Sequence, residues 1–117
     1  MAATILYGIR NCDTVRAARA WLAARHVAYD FHDYKTAGID RGRLERWCKE
    51  RGWETLFNRA GTTFRKLPDG DKRDLNQAKA LALMVAHPSI IKRPVLEWSG
   101  PLLVGFTPES YARLLTP

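Results

Sequence analysis

Cys12 stands where an apolar run, Ala3-Thr4-Ile5-Leu6-Tyr7, gives way to a segment in which Val15, Ala18, Trp21 and Leu22 recur at helical spacing. The first stretch reads as a short buried strand and the second as one face of a helix, which puts the cysteine at or just before the helix start. Unsatisfied backbone N–H groups and the positive end of the helix dipole favour a thiolate over a thiol there. Arg10 and Arg16 add positive charge nearby and are the expected thiolate-stabilising side chains, while Asp13 works against them. Because the thiolate is the attacking form of cysteine, the junction predicts a nucleophile.

The alternative is packing, since a free cysteine commonly serves as a small buried hydrophobe. Cys48 fits that role, with Leu44, Trp47 and Arg51 around it on a predicted helix. Cys12 does not. Its flanking Gly8, Arg10, Asn11 and Asp13 are turn residues that fill no core.

The elements that must hold Cys12 follow from periodicity. The first helix is expected to run to about Arg25, and Val27–Tyr34 alternates as a half-exposed strand, giving a βαβ unit with parallel strands and a right-handed crossover. Asp40 reads as the cap of a second helix, with Leu44, Trp47 and Cys48 on one face and Gly52 at its end. From Asn58 to Asp74 the chain turns polar, and loops with a short helix over Phe64–Leu67 are expected. Asp74 is the expected start of a buried helix over Leu75–Ala86 that Pro88 stops. Pro94–Trp98 and Leu102–Phe106 flank the turn Ser99-Gly100-Pro101 as an antiparallel hairpin. Thr107-Pro108 then opens a last helix that turns Tyr111, Leu114 and Leu115 inward.

This order predicts an α/β fold: a thioredoxin-like mixed four-stranded sheet flanked by helices. It forms a single domain over residues 1–117, with a mainly helical insertion over residues 35–92 between the βαβ unit and the C-terminal ββα unit. In such a fold the end of the first strand meets the start of the first helix beside a proline that opens the third strand. Cys12 and Pro94 occupy those two places.

Composition narrows the classes. A chain of 117 residues, 46% hydrophobic and with four tryptophans, can bury a core, which excludes a disordered chain. Two cysteines supply neither a secreted disulfide framework nor a zinc ligand set, so a cytoplasmic protein without a bound metal is expected. The longest apolar stretch, Ala80 to Ala86, is too short to span a bilayer, and no basic region precedes an apolar core at the N-terminus. Neither export nor membrane insertion is expected. The net charge of +7 favours anionic partners, but the basic residues form no dense run and no aromatic interleaving, so nucleic-acid binding is not expected. A small anionic substrate can exploit the same field.

Tyr7-Gly8-Ile9-Arg10-Asn11-Cys12-Asp13-Thr14, Asn58-Arg59-Ala60-Gly61-Thr62-Thr63-Phe64-Arg65-Lys66-Leu67 and His87-Pro88-Ser89-Ile90-Ile91-Lys92-Arg93-Pro94, with the hairpin beyond, resemble the arsenate reductase (ArsC) family. The resemblance spans essentially the whole chain, and its nearest branch is the one typified by YffB, with the Spx regulators as cousins. It implies that Cys12 is the nucleophile, that Pro94 follows a cis peptide bond, and that Arg93 helps bind an anion or glutathione. There are also departures. Gly8 stands where arsenate reductases carry a histidine four residues before the nucleophile. Of their three anion-binding arginines one matches Arg93, another falls at Asn58 with Arg59 one residue off, and the third falls at Thr107. Spx regulators often carry Cys-x-x-Cys, where this chain reads Cys12-Asp13-Thr14-Val15.

These features predict a glutathione-dependent monothiol reductase that works through mixed disulfides. Cys12 is its catalytic residue, and Asn11, Thr14, Arg59, Arg93 and Pro94 form its substrate and glutathione site. The alternatives are an arsenate reductase proper, or an Spx-like regulator that binds RNA polymerase. Thr14 either donates to the sulfur or serves the first helical turn, and Arg93 has a surface ion pair as its alternative role. No cofactor is expected, glutathione being a co-substrate beside an oxidised thiol or oxyanion. A monomer is expected.

Overall fold

The central strand β1 (Ile5–Gly8) pairs in parallel with β2 (Asp30–Asp33) and antiparallel with β3 (Val95–Glu97), which pairs antiparallel with β4 (Leu103–Val104). The strand order β2-β1-β3-β4 is the expected mixed four-stranded sheet of a thioredoxin-like fold. The computed structural model describes residues 4–115, with side chains up to Arg113. Ala3 of the first expected strand, and the side chains of Leu114 and Leu115, lie outside the described residues.

The chain forms two compact units. One comprises the residues up to Tyr34 together with those from Arg93 onward, and the other is Lys35–Lys92. In the first unit, α1 (Asp13–Ala24) and α8 (Pro108–Leu115) cover one face of the sheet. Leu6, Leu96 and Leu103 from the strands meet Ala18, Trp21 and Leu22 of α1 and Tyr111 of α8. Side chains alternate along a strand, so Tyr7 takes the opposite face, where His32 and Val95 are its register partners. Thr107 caps α8 as expected, its hydroxyl accepting from the Ser110 N–H at 3.1 Å.

β2 is shorter than the alternating pattern suggested, because α1 ends on a Schellman closure. His26 takes φ +57°, its N–H bonds Ala23 C=O at 3.1 Å, and the Val27 N–H bonds Leu22 C=O at 3.0 Å. Val27 is therefore part of the helix stop, and the ladder begins at Asp30.

The second unit is helical. α2 (Tyr34–Ala37) leads into it, and α3 (Arg41–Arg51) is capped by Asp40, whose Oδ2 accepts from the Arg43 N–H at 2.9 Å. Gly52 at φ +83° ends α3. Three short helices follow, α4 (Trp53–Leu56), α5 (Thr62–Arg65) and α6 (Asp69–Lys72), where one over Phe64–Leu67 was expected. α7 spans Gln77–Ala86 and does not begin at Asp74, which is in the left-handed region at φ +52°. Asn76 caps α7 instead, its Oδ1 accepting from the Lys79 N–H at 2.9 Å. Leu44, Trp47, Leu56, Leu81 and Met84 are buried in this unit. Among the described residues no helix is long and apolar enough to cross a membrane.

Candidate active site

The parallel arrangement of β1 and β2 sends the chain from the end of β1 straight into α1, and a close approach holds that corner. A Cβ built on Gly8 would lie 2.7 Å from Val15 Cγ2, and Val15 is fully buried and stiff at χ1. Gly8→Ala is therefore expected to destabilise the protein by about 1–3 kcal/mol through overpacking. Denaturant unfolding would measure the loss, and Val15→Ala in the same chain should recover most of it. The histidine that arsenate reductases carry at this place has no room here.

Beyond the buried Ile9 and the exposed Arg10 and Asn11, Cys12 is the N-cap of α1, with φ −114° and ψ 124°. Its carbonyl accepts from the Arg16 N–H at 2.9 Å, but no side chain caps the helix start, which leaves the first N–H groups to the sulfur. Burial pushes the thiol's pKa up. The N–H of Val15, a hydrogen bond and charge from the Arg93 guanidinium, and the N–H of Thr14 more than compensate, and the net displacement is downward.

Arg93 reaches this point because β3 runs antiparallel to β1. Val95 lies opposite Tyr7, so the residues just before β3 lie at the end of the sheet where β1 stops. The Arg93–Pro94 bond is cis, and the Pro94 carbonyl accepts from the Gly105 N–H at 2.8 Å. Cys12, Thr14, Arg93 and Pro94 are thus brought together.

Arg10 and Arg16, expected beside the thiolate, are engaged elsewhere. Arg10 Nε lies 3.5 Å from Asp33, a carboxylate only 9% exposed at the end of β2, and Arg16 pairs with Asp13 at 2.5 Å. The cation acting on the sulfur is Arg93. Asn11 is exposed in the turn, and Thr14 contributes its backbone N–H rather than its hydroxyl. Arg59 belongs to the second unit, where its guanidinium lies 5.8 Å from the centre of the Trp53 ring. Cys48 is also in that unit and 3% exposed; burial, then Glu45, push its thiol upward.

Sequence reasoning missed an aromatic cluster on the sheet face away from α1. The Tyr7 ring lies 4.8 Å from His32 and 6.3 Å from Tyr34, and the Tyr7 hydroxyl donates to Glu97 at 3.4 Å. Tyr34 is buried with its hydroxyl unbonded, and it feels the Arg93 charge. The register Tyr7↔His32 was the missing signal, since nothing in either strand alone sets the two rings side by side. Among the described residues no three His, Cys, Asp or Glu side chains gather as a metal site.

Residues 7–114 match the ArsC family. A solved YffB protein is 60% identical, with a TM-score of 0.94 over 97% of this chain and 100% of its own. A solved arsenate reductase (ArsC) related protein from Brucella melitensis is 48% identical, with a TM-score of 0.75 over 99% of this chain and 97% of its own. The global transcriptional regulator Spx of Streptococcus mutans is 27% identical over 90% of this chain and 77% of its own length. With its thioredoxin-like sheet and a cysteine of lowered pKa heading the first helix, the chain belongs to the ArsC family.

Proposed function

We propose that this chain is a glutathione-dependent monothiol reductase. The observation that carries the reading is the asymmetry of its two thiols: Cys12 is lowered in pKa beside Arg93, whereas Cys48 is buried and raised. The Cys12 thiolate attacks the glutathione sulfur of a mixed disulfide RS–SG. A Cys12–SG bond forms, the R–SG bond breaks, and RS⁻ leaves and takes up a proton from solvent. A glutathione thiolate then attacks the Cys12–SG bond, giving oxidised glutathione and restoring the Cys12 thiolate. In the net reaction RS–SG and one glutathione thiol give RSH and oxidised glutathione, whose second half is the glutathionyl group of the substrate, and no second protein thiol is needed.

Two further side chains favour this over arsenate reduction. Asn58, in the place of one anion-binding arginine, turns its Oδ1 to the Ala60 N–H at 3.1 Å, and Thr107, in the place of another, caps α8. Each serves its own turn, and neither brings a cation to an oxyanion.

With glutathione in excess, the protein is expected to turn over a cysteine–glutathione mixed disulfide and to show no arsenate-dependent oxidation of glutathione. Coupled measurement of oxidised glutathione distinguishes the two. Turnover with arsenate and none with the mixed disulfide would replace this reading with arsenate reduction.

A further inference from the structure

Positive charge is concentrated in one unit. Lys35–Lys92 carries thirteen of the nineteen Lys and Arg residues and seven of the twelve Asp and Glu, a net +6 of the chain's +7. α3 alone holds five basic residues against two acidic ones, with Leu44, Trp47 and Cys48 as its buried face. Arg46 and Lys49 lie one turn apart on its exposed side and, with Gly42 and with Gln77 of α7, line a cleft of 420 Å³. The carboxylate at the rim, Glu45, is paired with Arg41 at 3.4 Å, and among the described residues neither Arg46 nor Lys49 has a carboxylate partner. The cleft therefore presents two uncompensated cations and an amide.

We propose that this cleft docks an acidic peptide segment of a protein partner, and the docking rests on charge. Two cations one turn apart match a pair of carboxylate side chains on a short peptide. Nucleic acid fits less well. Stacking on exposed aromatic faces is the usual complement to a basic groove, and in this unit Trp53 has Arg59 over its ring while Lys72 lies over Phe64.

The test is fluorescence anisotropy with a labelled peptide bearing several glutamates, beside the same peptide with glutamines. It is run on the whole protein and on the Arg46→Glu/Lys49→Glu variant. At low salt the glutamate peptide is expected to bind about tenfold tighter than its glutamine counterpart, and the advantage should fade as salt shortens the screening length. The double variant should lose that advantage and still turn over the small cysteine–glutathione disulfide at the wild-type rate. Arg46→Gln/Lys49→Gln, a milder change, should show a reduced advantage. Equal binding of the two peptides, an advantage retained in the double variant, or tighter binding of a single-stranded RNA at the same residues would each overturn the proposal. Binding is read without turnover, so failure to reduce the small disulfide would sink the reductase reading and leave the docking result standing.

Discussion

Cys12→Ser is expected to abolish reduction of the mixed disulfide, with a loss of more than about 10³-fold of the kind seen when a covalent nucleophile is removed. A serine hydroxyl at the same N-cap is not ionised near neutral pH and does not attack a disulfide. The fold should survive, because the residue is only partly buried and serine is itself a favoured cap. Cys48→Ala should do the reverse. It removes a buried group from the second unit, costs about 1 kcal/mol of stability, and leaves turnover intact. Mass spectrometry of the protein treated with oxidised glutathione gives the complementary readout: a single glutathione adduct on Cys12 in the Cys48→Ala chain, and none in the Cys12→Ser chain. Loss of turnover in a folded Cys48→Ala variant would show that resolution runs through an internal disulfide, and the monothiol mechanism would fall.

The pH dependence follows from the same contrast. A lowered pKa means that Cys12 is alkylated at pH values where an ordinary thiol, with a pKa of about 8.5, is still protonated. Cys48 should react only on unfolding or at higher pH, because burial disfavours its charged form.

Much of this site was legible before the structure. A strand of apolar residues, the flanking Gly8, Arg10, Asn11 and Asp13, and a helical face from Val15 place Cys12 at the junction without tertiary information. The charges around it were not so readily placed. Proximity in sequence assigned Arg10 and Arg16 to the thiolate, but Arg16 is three residues after Asp13 on the same helix face, a spacing at which opposite charges pair. Arg10 turns to Asp33 because β2 stands in register with β1, Gly8 against Asp33, and a register is not written in either strand alone. The resemblance put Arg93 in the site as an anion binder, but it comes to Cys12 from 81 positions away through the antiparallel pairing of β3, and its action on the sulfur is legible only in the fold. The short helices α4, α5 and α6 escaped because four-residue turns are too brief to show a 3.6-residue period. Asp74 and Asn76 both looked like caps. Backbone conformation decides between them, since Asp74 takes a left-handed φ and Asn76 the extended one a cap requires.

Arg93 acts on the Cys12 sulfur, and its proposed second role as an anion binder is separable from the first by a single substitution. In Arg93→Gln the sulfur keeps its burial and its backbone N–H groups but loses the Arg93 hydrogen bond and charge, so the Cys12 pKa moves up and the alkylation profile shifts to higher pH. The effect on reactivity is smaller than the shift suggests. For each tenfold fall in thiolate fraction the remaining thiolate is about threefold more nucleophilic, so alkylation by neutral iodoacetamide at pH 7 should fall by less than the thiolate fraction does. If Arg93 also holds a glutathione carboxylate, as proposed, turnover of a glutathione mixed disulfide should fall further, by about ten- to a hundredfold, through the loss of that charge-assisted hydrogen bond. Arg93→Lys restores the charge without the planar fork, and should return the alkylation profile most of the way while leaving turnover impaired. Equal losses in the two assays would mean that Arg93 acts on the sulfur alone. The anion-binding role would then have to come from another residue.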